Sequence, residues 1–449
     1  MNNVKQNRTY LHIINKHGRN DTLKKAAIHT LGCRVNQYES EAIGEMMVRA
    51  GYELVPFSEF ADCYIINTCT VTGMSDKKSR QIIRRAKHIN PNAVVVVTGC
   101  YAQTAPDEIQ KIDGVNIIVG TNDRKKIPQL VENVRNKTVC TVGNIMDVRE
   151  FEELDVETYF ERTRAFLKIQ DGCNQFCSYC IIPYARGRVR SRKKDNVISE
   201  VKRLAENGYR EFVLSGIHVA SYGMDLGDTN LLDIIKSIHK IDGVERIRIG
   251  SVEPSIITDE FVSELAKIPE FCPHFHISLQ SGCDKTLKAM NRRYSADEYM
   301  KSVEAVRKNL DNPAISTDVM VGFSGETEED FIKSCEFVEK VGFSKLHVFP
   351  YSVRRGTRAE NFEGAVSPEE KDRRCAEMIK IGSRMTEKFL ESQVGLCTDV
   401  LFERPCGGGL YEGFTKNYVK VVKKSDTDIS GKILNIHAAA VDGEHLSAE

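Results

Sequence analysis

Cys173, Cys177 and Cys180 fall on one short stretch at C-x3-C-x2-C spacing. Three thiols so close together are too tightly spaced to be independent core residues, and a tetrahedral zinc site asks for a fourth ligand nearby. One loop of this kind can wrap three thiolates around one face of a [4Fe–4S] cube, leaving the fourth iron without a protein ligand. An open iron takes an external chelate, and the amino and carboxylate groups of S-adenosylmethionine (SAM) suit it. Passing one electron into the sulfonium is chemistry the cofactor carries while the protein positions it. The competing reading of the spacing is a structural zinc loop or chance clustering.

A second group of thiols emerges from the elements before this loop. Residues 26–31, 63–68 and 93–97 read as strands separated by helical patterns, a βαβαβ alternation that implies a parallel sheet. Cys33, Cys69 and Cys100 each lie just past the carboxyl end of one of these strands. Parallel strands bring those ends to one edge, where open α/β sheets bind ligands. The three thiols are therefore expected to converge and hold a second cluster, again with one iron open. Buried small apolar residues are the alternative, but such cysteines belong inside strands, as Cys63 does, and not three times at strand ends. Cys140 reads as core or edge packing. Asn36 and Gln37 begin the helix after Cys33 and are placed to orient the thiols. The helix after Cys69 carries Lys77, Lys78, Arg80, Arg84, Arg85 and Lys87, which suit either RNA phosphate or a solvated face.

An acidic stretch at 147–162 reads as a linker. Beyond it, strands at 165–169, 211–214, 246–249, 275–279, 314–319 and 346–349 alternate with helical segments. Six βα units close naturally into a partial (β/α)6 barrel, with chemistry on loops at the strands' carboxyl ends. Gly216 allows close backbone approach there, for example by the SAM amino group. Glu253 and Gln280 stand at equivalent strand ends, with Tyr179 before the last loop cysteine. His218 and His276 read as satisfied structural histidines, and Cys272 and Cys283 have no ligand partners. The basic run 186–194, with Arg186, Arg188 and Arg190, suits an anionic substrate or a solvated loop.

The fold class expected is thus α/β. An N-terminal parallel βα domain (25–146) precedes the barrel (163–393), and a small β-barrel (394–449) follows. Ser367-Pro368-Glu369-Glu370 announces a helix with a capping box before that last segment. Within it, Tyr411, Phe414 and Tyr418 interleave with Lys416, Lys420, Lys423 and Lys424, which suits stacking and phosphate contacts to RNA or, since acidic residues balance the basic ones, a plain structural barrel. Basic and acidic residues balance at 63 each, which excludes a blanket nucleic-acid footprint and leaves only local patches. Fourteen cysteines are too sparse for a disulfide scaffold. With the thiol groups they imply a reducing cytoplasm. No apolar run approaches spanning length, so no membrane association is expected. Residues 1–24 read as a polar, basic extension.

These residues together resemble the radical-SAM methylthiotransferase family over nearly the whole chain after the extension. The carriers are Leu31-Gly32-Cys33-Arg34-Val35-Asn36-Gln37, Asn67-Thr68-Cys69, Thr98-Gly99-Cys100-Tyr101-Ala102-Gln103, and the run from Gly172 through Cys180 to Gly187. The last segment is similar to the family's RNA-associated TRAM domain. Gly32-Cys33-Arg34-Val35-Asn36 and the residues from Cys177 to Gly187 look most like the branch acting on N6-threonylcarbamoyladenosine beside the tRNA anticodon. The resemblance implies two [4Fe–4S] clusters. Cys173, Cys177 and Cys180 would hold the one that cleaves SAM, with Tyr179, Gly216, Glu253 and Gln280 near the cofactor. Cys33, Cys69 and Cys100 would hold the one that donates the methylthio group, a second SAM supplying the methyl. It also implies a tRNA substrate, an electron donor of flavodoxin or ferredoxin type, and a monomer. Ser215-Gly216-Ile217 lacks the acidic third residue of the superfamily's glycine-rich strand motif. Other classes are a methylthiotransferase for isopentenyl-adenosine tRNA or a ribosomal-protein side chain, and a non-enzymatic iron–sulfur RNA-binding protein. The open-iron loop argues against the last.

Overall fold

The computed structural model describes residues 23–135, 137–154, 156 and 163–448. Of the expected extension only Leu23 and Lys24 are among them, and Lys24 already belongs to strand β1 (Lys24–Thr30). With β2 (Tyr52–Leu54), β3 (Cys63–Thr68), β4 (Val94–Gly99), β5 (Ile117–Ile118) and β6 (Val139–Cys140), it forms a parallel six-stranded sheet in the order β2-β1-β3-β4-β5-β6. The three expected strands are its centre, because both their faces are covered. Val95 and Val97 pack on one side with Ile83 and Ala86, while Val96 packs on the other with Ile43 and Met47. Successive side chains on a strand point to opposite faces, so a run of valines fits a strand buried on both. Strands β2, β5 and β6 are too short to show a period. Cys63 lies buried inside β3, and Cys140 is exposed on edge strand β6.

The expected linker does not run free over its described part. Leu154 and Val156 are buried in the barrel core, and Glu153 meets Arg192 at 2.6 Å. Asp155, Glu157 and Glu161 lie outside the described residues.

The barrel begins with β7 (Arg164–Lys168) and a small antiparallel pair, β8 (Gln170–Asp171) and β9 (Arg190–Ser191). It continues through β10 (Glu211–Ser215), β11 (Arg246–Ile249), β12 (His274–His276), β13 (Ala314–Val321) and β14 (Lys345–Pro350). Two parallel sheets, β11-β10-β7 and β12-β13-β14, are joined by single bridges at Ile247–Phe271 and Val252–Ile277. All six expected strands are present, curved into a partial barrel. The helix Pro368–Glu391 starts at Ser367, whose hydroxyl accepts from the Glu370 N–H at 3.2 Å. Only half of the capping box forms, because the Glu370 carboxylate turns to Arg373 and Arg374.

Strands β15 (Cys397–Gly407), β16 (Leu410–Thr415), β17 (Lys420–Lys424), β18 (Ile433–Asp442) and β19 (His445–Ala448) close a small barrel in the order β15-β16-β17-β19-β18. Arg246 and Arg248 clamp it to the larger barrel by donating to the carbonyls of Asp399, Phe414 and Lys416 at 2.7–2.9 Å. Among the described residues no helix is long and apolar enough to cross a membrane.

Candidate active site

One cavity of about 1240 Å³ lies where the three units meet. Cys33 borders it from the first sheet, Cys173, Cys177 and Cys180 from the large barrel, and Phe414 and Tyr418 from the small one.

Local backbone chemistry delivers each thiol. Cys33 is the N-cap of the helix Arg34–Arg49, Cys69 follows β3, and Cys100 opens the short helix Cys100–Thr104 directly after β4. Gly32 turns the chain at φ +106°, and a Cβ there would sit 3.0 Å from the Cys69 sulfur. Only glycine lets the loops after β1 and β3 approach so closely. Burial pushes the Cys100 thiol up to about 12, against the pull of Arg186 and with an added push from Cys33 and Cys69. Burial likewise raises Cys173 to about 11, and raises Cys180 to about 12 with Cys177 and Cys173 adding to it. Cys33 and Cys69 thus lie within electrostatic reach of Cys100, and Cys173, Cys177 and Cys180 of one another. Such thiols become thiolates only beside a strong positive charge, which a metal centre brings. Among the described residues no set of three or more His, Cys, Asp or Glu side chains is arranged for a single metal ion. An all-sulfur donor set of three suits an iron–sulfur cube with one open iron.

Behind the strand-end thiols lies a charged network that periodicity and spacing did not reveal. Arg186 is fully buried. Its guanidinium donates to the Cys100 sulfur at 3.2 Å, to Asn36 Oδ1 at 2.5 Å and to Glu39 at 2.5 Å. Lys168 bridges Glu39 at 2.7 Å and Asp171 at 2.5 Å, and Arg124 joins Glu39 at 3.1 Å and Glu152 at 2.9 Å. Burial alone would raise the Glu39 carboxyl, but Arg124, Arg186 and Lys168 overcome it and hold it down to about 2. Asp171 is likewise held below the usual carboxylate range.

This corrects the basic run as a phosphate-contacting surface. Arg186 is consumed by the network, Arg190 is buried beside Asp171 at 3.7 Å, and Arg192 is buried against Glu153 and Glu200. Arg188 alone of the three expected substrate arginines is exposed, its guanidinium 5.0 Å from the Phe176 ring centre. The only prior signal was the acid count of the stretch before β7, which Glu152 and Glu153 now explain.

On the barrel side, Glu253 borders the cavity. Gln175 Nε2 donates to it at 2.9 Å, and Arg292 and His218 Nε2 stand within ion-pair distance at 2.9 Å and 3.0 Å. Tyr179 lines the same space and packs edge-on against Phe323. Gly216 also lines it, but a Cβ there would first meet Gln170 Oε1 at 2.8 Å, so side-chain packing demands this glycine. Neighbouring Ser215 leaves its buried hydroxyl without a hydrogen-bond partner, as expected where a polar ligand docks. Gln280 is not among the cavity residues. Its backbone, at φ +70°, bridges to Asp318 and Met320. His276 is held by Asp318 at 3.2 Å and Ser316 at 3.1 Å and, with His218, faces the cavity.

Phe414 and Tyr418 of the small barrel line the cavity and not an outer surface. Phe414 and Tyr418 stack at 4.9 Å and point inward. Arg164 stands 5.1 Å from the Phe414 ring centre, and Arg248 stands 4.6 Å from that of Tyr418. Lys416 is tied to the Pro269 carbonyl at 3.0 Å. This face is an inner wall of the cavity.

Comparison with known proteins agrees with the geometry. Residues 167–338 match the radical SAM superfamily, and residues 25–120 match a group described as uncharacterized protein family UPF0004. The chain is 44% identical over 417 residues to a threonylcarbamoyladenosine tRNA methylthiotransferase, MtaB, of Bacillus subtilis, covering 91% of this chain and 92% of that one. A protein of the same name from Aquifex aeolicus is 37% identical, with 92% and 99% covered. A tRNA-2-methylthio-N(6)-dimethylallyladenosine synthase of Clostridium botulinum is 34% identical, with 94% and 96% covered. Among solved structures, the radical S-adenosylmethionine methyltransferase TsrM of Kitasatospora setae superposes with a TM-score of 0.56 at 13% identity, over 87% of this chain and 81% of that one, a likeness of fold. The chain belongs to the radical-SAM methylthiotransferase family, in the branch whose members are named threonylcarbamoyladenosine tRNA methylthiotransferases.

Proposed function

We propose that this protein methylthiolates C2 of N6-threonylcarbamoyladenosine beside the anticodon of tRNA, using two SAM molecules and two [4Fe–4S] clusters. The observation that carries the reading is that Cys33 and the Cys173–Cys180 loop border the same cavity. Hydrogen removal and sulfur delivery must act on one carbon, and a shared cavity permits that without moving the substrate. The threonylcarbamoyladenosine-named relatives are 36–44% identical and the dimethylallyladenosine-named ones 33–36%, which supports the substrate choice.

When bound, the clusters and SAM supply one-electron hydrogen abstraction and the methylthio group. The chain's own residues hold and orient. Cys173, Cys177 and Cys180 would hold one cluster, and Cys33, Cys69 and Cys100 would hold a second. Glu253, fixed by Gln175, His218 and Arg292, offers a carboxylate edge to the cavity beside the loop cysteines. Phe414 and Tyr418 line the cavity and would flank a base leaving its stack, which in a single-stranded loop costs a few kcal/mol. An external one-electron donor of flavodoxin or ferredoxin type completes the cycle.

The test compares turnover on tRNA from cells with and without threonylcarbamoylation, and on isopentenyl-adenosine tRNA. Methylthio product on the first alone is expected. Equal turnover without the modification, or preference for the isopentenyl substrate, rejects the substrate assignment.

A further inference from the structure

The threonylcarbamoyl group ends in a carboxylate, and a cavity that takes it from water must answer that charge. The arginine run after the cluster loop does not supply the answer, since Arg186, Arg190 and Arg192 are committed to carboxylates away from the cavity. The cations that do border the cavity are nearly all neutralised as well. Arg292 pairs with Glu253 at 2.9 Å, Lys345 with Glu444 at 2.6 Å, and Lys420 with Glu412 at 2.7 Å. His218 and His276 face Glu253 and Asp318. His274 and His347 are driven towards neutrality by burial.

Arg34 is the exception. It lines the cavity and makes no ion pair with any carboxylate among the described residues. Its side chain is nonetheless held in place. The guanidinium lies 5.3 Å from the Phe166 ring centre, and Nη2 donates to the Tyr418 hydroxyl at 3.3 Å. Tyr418 is itself held in the left-handed region at φ +68°, packed between Phe414 and Arg248. A guanidinium has five N–H donors in a fixed fork. Arg34 uses one, so a carboxylate can still be taken by two parallel bonds.

Position agrees with charge. Arg34 follows Cys33 directly, so it reaches into the space beside the thiols expected to carry sulfur to C2. In adenine, C2 and the N6-bearing carbon flank the same ring nitrogen, so a substituent on N6 that turns toward that nitrogen extends along the edge that holds C2. A carboxylate at its end then falls within one arginine side chain of the reacting carbon.

We infer that Arg34, held by Phe166 and Tyr418, binds the carboxylate of the threonylcarbamoyl group and so selects this substrate over uncharged N6-modified adenosines. The inference rests on the substrate reading above and names the group that enforces it.

The experiment uses the cluster-loaded enzyme and two synthetic anticodon stem-loops, one carrying threonylcarbamoyladenosine and the other its carboxylate methyl ester. Affinity is read by fluorescence anisotropy and turnover by mass spectrometry. Wild-type protein should prefer the acid by about 10- to 100-fold, the range for a hydrogen-bonded charge pair. Arg34→Gln, with its iron content verified, should bring that ratio near one, and Arg34→Lys should keep part of it. Equal handling of acid and ester by wild-type protein, or an unchanged ratio in Arg34→Gln, overturns the assignment. Anisotropy needs no turnover, so a folded variant that does not load iron still reports its acid-to-ester ratio. Failure of wild-type protein on the acid stem-loop, with product on an isopentenyl one, would instead remove the substrate reading and this assignment with it.

Discussion

Cys173, Cys177 and Cys180 reach the cavity on a single loop, so their spacing along the chain sets their spacing in space. Cys33, Cys69 and Cys100 arrive from three strand ends, so sheet register sets theirs. Ala26 pairs with Cys63, which pairs in turn with Val94, and this alignment brings the ends of β1, β3 and β4 level. A second dependence follows from Arg186, which sits just beyond the loop cysteines yet donates to the Cys100 sulfur. One thiol group is a local property of the chain, and the other is a property of the assembled fold.

The largest expected effect breaks the local group. The triple change Cys173→Ala, Cys177→Ala, Cys180→Ala should lower iron from about eight to about four per chain and abolish reductive SAM cleavage. Metal analysis and 5′-deoxyadenosine release are the measurements. Retention of the full iron load would show that these cysteines are not ligands.

A smaller effect breaks the fold-dependent group. Glu39→Gln leaves Arg124, Arg186 and Lys168 buried without their shared carboxylate. Breaking a buried ion network costs about 3 kcal/mol or more, visible in denaturant unfolding. Strand-end iron should fall while loop iron stays. The pH dependence follows from the folded-state value of about 2, which lies below the unfolded value of about 4.3. The Glu39 contribution is therefore complete above the unfolded value and is lost as pH falls through the folded one. The stability gap between wild type and Glu39→Gln should stay flat at neutral pH and close only in acid. A gap that closes near neutrality would mean a different charge state.

The smallest effect sharpens the contrast among the arginines. Arg188→Gln should weaken tRNA binding about two- to threefold and reduce the salt slope by about one. Arg190→Gln should lower stability, because that side chain is buried beside Asp171. The reverse pattern would restore Arg190 as a phosphate contact.

The local features were the legible ones. The three cysteines of the loop declare themselves by spacing, and the valine run of β4 by its apolarity. The strand-end thiols were legible through topology, since three cysteines past three strands must share an edge. The roles of Arg186, Arg190 and Glu39 were not legible. A basic run reads the same whether its charges face solvent or buried acids, and the acids lie far away in sequence. The inward placing of Phe414 and Tyr418 was hidden for a related reason. Aromatic residues among lysines fit a base-stacking surface, but which face of the small barrel they occupy depends on docking through Arg246 and Arg248. Tertiary charge pairing has no period, so no pattern along the chain encodes it.

The central claim is that two thiol groups with separate tasks serve one cavity, which Cys33 borders for one group and the loop cysteines for the other, and Cys69→Ala tests it most directly. Reduced variant protein would be incubated with SAM and threonylcarbamoylated tRNA, with 5′-deoxyadenosine and tRNA nucleosides quantified by mass spectrometry. The account predicts 5′-deoxyadenosine without methylthiolated nucleoside, since the loop group is intact and the sulfur site is not. Methylthiolated product at the wild-type level would contradict it.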